Sequence, residues 1–203
     1  MMKKNIQEKR RKQILEALHK RLLIKPYDRT SIKEIASEAG LNHGMLHYYF
    51  KSKEDILLAY IDYTIDLHRD FFVNWFSSNV EKLKTPADLI YATFDFMTQK
   101  ITLNRELSKV FIEIWEIALY NNKVRSKLQK AYGEWITIAS EHLSGQMKSL
   151  ENTKELGLVV VAFSEGLSLL SVILKKSEVS AEVMVNIFKE AALLYISKNN
   201  KAI

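Results

Sequence analysis

The chain has 203 residues, a formal charge of +6 and no cysteine. That length can build one large or two small domains around a core without staples, and the missing thiols exclude a disulfide framework, a thiolate zinc site and a cysteine nucleophile. Residues 1–55 hold 13 Lys and Arg against 7 Asp and Glu while the rest hold 17 against 17, so the excess charge belongs to a small basic module on a neutral body.

Apolar residues recur at helical spacing along nearly the whole chain and bounded strand-like alternation is missing, which predicts an all-α fold. The first helix is expected from Ile6 to Leu23, with Ile14, Leu15, Leu18 and Leu22 on one side, and Lys25-Pro26 stops it. Its basic run Lys9, Arg10, Arg11 and Lys12 reads as a solvated face with incidental attraction for phosphate. Ser31-Ile-Lys-Glu34 has the spacing of a capping box and opens a second helix, on which Ile32, Ile35, Ala36 and Ala39 form an apolar stripe. Gly40 is a natural stop. Asn42 then caps a short third helix, His43 to Phe50, and two helices joined by so tight a turn must cross steeply, which is the helix-turn-helix pattern.

Six further helices complete a prediction of about nine. A long one is expected from Lys53 to Phe76, carrying Leu57, Tyr60, Ile61, Thr64, Leu67, Phe71 and Trp75 at helical spacing. Others are expected over Pro86 to Leu103, Arg105 to Tyr120, Lys123 to Lys148, Thr153 to Leu174 and Ser180 to Ser197.

Within the third helix, Leu46 and Phe50 lie one turn apart and should face inward, which turns His43, Gly44, Met45, His47 and Tyr48 outward. Such a helix can enter a DNA major groove, where His, Tyr and Lys donate to base acceptors or phosphate. His43 and His47 also have the spacing of a metal pair, but no acidic residue joins them on that face, and no metal or cofactor is expected. No phosphate-cradling glycine loop, Gly-x-Ser-x-Gly elbow or His-Glu-x-x-His motif supports an enzyme.

The stretch TSIKEIASEAGLNHGMLHYYFKSKEDIL, Thr30 to Leu57, resembles the DNA-binding signature of the TetR family of bacterial regulators, densely and without gaps. The resemblance implies an N-terminal helix-turn-helix DNA-binding domain over 1–52 and a helical ligand-binding and dimerisation domain over 53–203. It implies phosphate contacts for Thr30, Ser31 and Lys53, a cap at Asn42, and groove-facing or phosphate-facing places for His43, Gly44, Met45, His47, Tyr48 and Tyr49, the last of which can instead pack on the scaffold. Met45 stands where a hydroxyl residue is common, offering an apolar tip to a thymine methyl, and His47 stands where Tyr is common. The partner implied is a double-stranded, pseudo-palindromic DNA operator.

The last two helices are apolar beyond one face, which suits burial against a second copy, so a homodimer through 153–174 and 180–197 is expected. Leu156 to Leu174 is close to the length of a membrane span, and a basic module on a membrane-associated helical protein is the alternative. Glu165 in its middle and three serines, Ser164, Ser168 and Ser171, speak against that. An aromatic middle, with Phe72, Phe94, Phe111, Trp115, Tyr132, Trp135 and Phe163 beside Glu113, Glu116 and Glu165, is expected to line a cavity for an apolar or cationic small-molecule effector. Ile114 to Trp135 and Ala162 to Leu170 resemble the choline-responsive branch of the family. The resemblance implies repression relieved by ligand, carried by the long helix from Lys53. The charged N-terminus lacks the apolar run of an export signal, so a cytoplasmic location is expected.

Overall fold

The computed structural model describes residues 2–83, 85–146, 152–175 and 180–199, and no strand occurs among them. Nine α-helices are described: α1 (Met2–Ile24), α2 (Ile32–Glu38), α3 (His43–Tyr49), α4 (Lys53–Asn79), α5 (Pro86–Met97), α6 (Arg105–Tyr120), α7 (Asn122–Gln146), α8 (Thr153–Ile173) and α9 (Ala181–Asn199). Helix α7 is described as far as Gln146, so its expected last turn to Lys148 lies outside the described residues. The helix expected over Pro86 to Leu103 is two elements. Helix α5 ends at Met97 and a π-helical turn, Thr98–Thr102, follows, closed by the Leu103 amide donating to the Thr98 carbonyl at 2.9 Å. Thr98 and Thr102 are β-branched and weaken an α-turn, and the Ser108 hydroxyl donates to the Thr102 carbonyl at 3.1 Å.

The chain divides into two compact units. The first comprises Met1–Phe72 and Val110–Leu128, the second Val73–Lys109 and Gln129–Ile203, so α4, α6 and α7 each contribute to both. In the first unit, Ile14, Leu18 and Leu22 of α1 are buried with Ile35 and Ala36 of α2, Leu46 of α3, and Ile56, Leu57, Tyr60 and Ile61 of α4. The stripe expected along α4 is buried only as far as Thr64, and Leu67 and Phe71 are exposed, because the three-helix core that the stripe covers ends there.

The turn between α2 and α3 follows from its residues. Gly40 takes φ +62°, its amide donates to the Ser37 carbonyl at 3.0 Å, and the Leu41 amide donates to the Ala36 carbonyl at 2.9 Å. This paired motif closes α2 on orphan carbonyls, and only glycine adopts it without strain. The Ser31–Glu34 capping box opens the same helix: the Glu34 amide donates to Ser31 Oγ at 3.2 Å and the Ser31 amide donates to Glu34 Oε2 at 2.8 Å.

The second unit is cored by Phe94, Leu156 and Ile196, against which Val160, Phe163, Phe188 and Leu193 pack. Phe163 and Phe188 stack at 4.0 Å. The buried Lys189 ammonium of α9 pairs with Asp95 of α5 and lies 5.1 Å from the Tyr91 ring centroid.

Candidate nucleic-acid interface

Helix α3 presents a continuous outer face. Leu46 is fully buried and the C-cap Phe50 nearly so, anchoring its inner side. His43, Gly44, Met45, His47 and Tyr48 are all exposed, Tyr48 to 77%. Asn42 Oδ1 caps the helix by accepting from the Met45 amide at 2.7 Å. The His43 and His47 rings meet edge to face at 4.7 Å, Tyr48 and Tyr49 likewise at 5.1 Å, so the face is lined by mutually supported rings. Among the described residues, no group of three His, Cys, Asp or Glu gathers as metal ligands.

The edge of this face is held from behind by contacts between distant residues. Arg11 donates to the Tyr49 carbonyl at 2.6 Å, and its guanidinium lies 4.0 Å from the Phe50 ring centroid. That gives one member of the supposedly solvated basic run a fixed place under α3. Gln13 donates to the Ala39 carbonyl at 2.5 Å, tying α1 to the turn.

The residues at the start of α2 are partly occupied. Thr30 is 1% exposed and its hydroxyl donates to the Pro26 carbonyl at 3.0 Å, so that hydroxyl faces the protein. Ser31 is exposed, with its hydroxyl donating to Glu34 Oε2 at 2.9 Å. Glu34 in turn accepts from Lys25 at 2.5 Å and Arg21 at 3.1 Å. The Lys25 bond first, then the two Ser31 bonds, pull the Glu34 carboxyl down to about 2.

Lys53 sits at the first position of α4. Its ammonium donates to the carbonyls of Tyr27 and Thr30 at 2.8 and 2.9 Å, with Asp28 at 3.4 Å, and lies 4.1 Å from the Tyr27 ring centroid. Desolvation is the main cause of its lowered pKa. These contacts make Lys53 a clasp on the loop between α1 and α2. From the other side, Glu113 Oε1 on α6 accepts from the Tyr27 amide at 2.6 Å, a contact sequence reading misses because 86 residues separate the pair. Burial, then the nearby Glu54 carboxylate, pushes the Tyr27 hydroxyl up to about 12.

The candidate effector residues are shared between the units. Phe72, Phe111, Trp115 and Glu116 belong to the first, where Phe111 meets the His68 ring at 5.9 Å and Glu116 is exposed. Phe94, Tyr132, Trp135, Phe163 and Glu165 belong to the second. Tyr132 donates to Glu165 Oε1 at 2.8 Å and packs edge to face on Trp135 at 5.2 Å. Burial raises the Glu165 pKa, opposed by the Tyr132 bond.

Helix α8 is long and apolar enough to cross a membrane, with a mean hydropathy of 2.1 over its most apolar window. Polar bonds nevertheless tie it into the second unit: Glu165 to Tyr132, the buried Ser168 hydroxyl to Ser108 Oγ at 2.7 Å, and the Val172 carbonyl to Arg105 at 3.1 Å. These do not favour the membrane alternative.

Residues 14–60 match the family model described as bacterial regulatory proteins, tetR family. The HTH-type transcriptional regulator LmrA of Bacillus subtilis is 25% identical over 170 residues, covering 82% of this chain and 88% of LmrA. The HTH-type transcriptional regulator PksA of the same organism is 44% identical over 50 residues, 25% of this chain and 24% of its own. Among solved structures, a transcriptional regulator from Saccharomonospora viridis in complex with choline superposes with TM-score 0.71 at 22% identity, covering 95% of this chain and 97% of that one. A TetR transcription regulator from Haloarcula marismortui does so with TM-score 0.71 at 18% identity, covering 95% and 98%. The structures establish the shared fold, and the relatives are named as transcriptional regulators rather than enzymes. With its helix-turn-helix built as described, residues 14–60 carry the DNA-binding segment of the tetR family of bacterial regulatory proteins, and the chain is a DNA-binding transcriptional regulator.

Proposed function

We propose that this regulator is a cytoplasmic homodimeric repressor that reads a pseudo-palindromic operator through α3 and is released by a small molecule. The observation that carries the reading is the α3 face: one side anchored by Leu46 and Phe50, the other exposing His43, Gly44, Met45, His47 and Tyr48. In this reading those five residues meet base edges or phosphate, Ser31, Asn42 and Tyr49 border the groove, and Thr30 and Lys53 act by placing Ser31. The DNA-binding part is the segment 1–52, with α4 from Lys53 serving as the shared lever.

Dimerisation is assigned to 153–174 and 180–197. On α8, Leu158, Ala162, Leu169 and Ile173 fall on one exposed face, opposite the buried Leu156 and Leu167. On α9, Val183, Ile187 and Leu194 do the same, opposite Val185, Ala192 and Ile196. Two adjacent sequence elements that each expose a second apolar stripe suit a two-fold bundle with another copy.

We assign the effector to Glu165, Tyr132 and Trp135, where a half-buried carboxylate with one neutral donor beside aromatic rings suits a cationic or apolar ligand. The Saccharomonospora viridis structure holds choline, a cation of that kind. A cation there favours ionised Glu165, so its affinity is expected to rise with pH as the raised carboxyl gives up its proton. The test of the whole reading is selection of duplexes from a random pool by parent protein and a His47→Ala variant. Altered base preference in the variant supports readout by α3, and an unchanged preference removes His47 from it.

A further inference from the structure

We infer that Glu113 is a positioning residue for DNA binding: by holding the Tyr27 amide it latches α6 to the loop from which α2 and the recognition face are hung. The inference rests on the proposed DNA reading and extends it to a residue far from α3. The loop has no regular structure of its own, yet its backbone is gripped twice, by Lys53 on the carbonyls of Tyr27, Asp28 and Thr30 and by Glu113 on the Tyr27 amide at 2.6 Å. A carboxylate accepting a backbone N–H is among the stronger neutral-donor bonds and fixes the amide's direction. Thr30 and Ser31 follow directly, so a shift of Glu113 moves the cap of α2.

Helix α6 gives that latch a second end. Near its start, Arg105 donates to the Val172 carbonyl of α8 at 3.1 Å, and the buried Ser168 hydroxyl donates to Ser108 Oγ at 2.7 Å, which passes a bond to the Thr102 carbonyl of the π-helical turn. Ser108 and Glu113 are five residues apart on one helix, roughly 7.5 Å along its axis. A single helix thus carries polar bonds to α8 at one end and to the α1–α2 loop further along. A displacement of α8 relative to α6 has a hydrogen-bonded route to the loop backbone, independent of the lever along α4.

The test combines exchange and binding on the full chain. Tyr27 amide exchange is measured in parent, Glu113→Ala and Glu113→Gln proteins, and affinity is measured for a duplex selected by the parent. Protection is expected to be lost in Glu113→Ala and kept in Glu113→Gln, whose amide oxygen still accepts. Binding is expected to weaken about tenfold in the first and within about twofold in the second, at melting temperatures close to the parent's. Ser168→Ala is expected to change affinity in the parent background but not in Glu113→Ala, whereas uncoupled sites combine to within a factor of about two. An unprotected Tyr27 amide in the parent, parent-like binding by Glu113→Ala, equal losses in both Glu113 variants, or additive behaviour with Ser168→Ala overturns the latch. If Glu113→Ala does not fold, the exchange result and the Glu113→Gln and Ser168→Ala affinities still decide. A parent that selects no DNA sinks the reading beneath the inference, and a parent that selects DNA while the cycle is additive sinks the latch alone.

Discussion

At the residue scale, the two glycines around α3 separate folding from recognition. A Cβ on Gly44 would meet nothing nearer than Asn42 Oδ1 at 3.6 Å, an ordinary contact. Gly44→Ala is therefore expected to raise stability by about 0.5–1 kcal/mol through helix propensity. If the backbone of α3 approaches DNA closely, the same change weakens operator binding, and denaturation and titration together show the opposed signs. Gly40→Ala, at φ +62°, is expected to cost about 1–2 kcal/mol of stability instead. For Lys53→Ala, the slope of log affinity against log salt discriminates. A lost phosphate contact lowers it by about 0.9, and a lost loop clasp weakens binding with the slope unchanged, which is the result expected from its carbonyl contacts.

At the scale of elements, α4 carries a built-in pH response. His68 Nδ1 lies 2.6 Å from the Thr64 carbonyl, so that nitrogen bears the proton of the neutral ring. Desolvation lowers the pKa of His68, the Thr64 bond opposes this, and His19 lowers it further. The unfolded chain therefore takes up the proton first. Stability is full above the ordinary histidine value near 6.5 and is lost as pH falls from there toward the lowered native value. Denaturation midpoints between about pH 7 and 5 are expected to fall less in His68→Gln than in the parent. The elements themselves were legible where their signals are local: the Ser31–Glu34 box, Gly40, the Asn42 cap and the 3.6-residue stripes each declare a boundary or a face. Bonds such as Arg11 to Tyr49, Lys53 to the 27–30 carbonyls and Glu113 to Tyr27 were not, because their partners lie 38, 23 to 26 and 86 residues away and no local pattern announces them. The aromatic middle is harder to read for a related reason. A packed phenylalanine such as Phe163 and a ligand-lining one look alike in sequence, and only the fold divides the set between two units.

At the scale of the whole molecule, the proposed reading of a pseudo-palindromic operator takes two copies of the chain. The exposed α9 stripe of Val183, Ile187 and Leu194 is expected to be buried in the dimer, so Ile187→Glu should weaken self-association by about two orders of magnitude, read by sedimentation equilibrium. Operator affinity should fall with it, since each monomer then holds one half-site alone. A protein that remains dimeric with Glu at 187 places the interface elsewhere. The most direct measurement for the central claim, that α3 of a two-fold dimer reads DNA, is sequencing of duplexes selected by the full chain from a random pool. An enriched inverted repeat whose half-site preference changes in His47→Ala is expected, and a pool that enriches no inverted repeat rules out readout by α3 of a two-fold dimer.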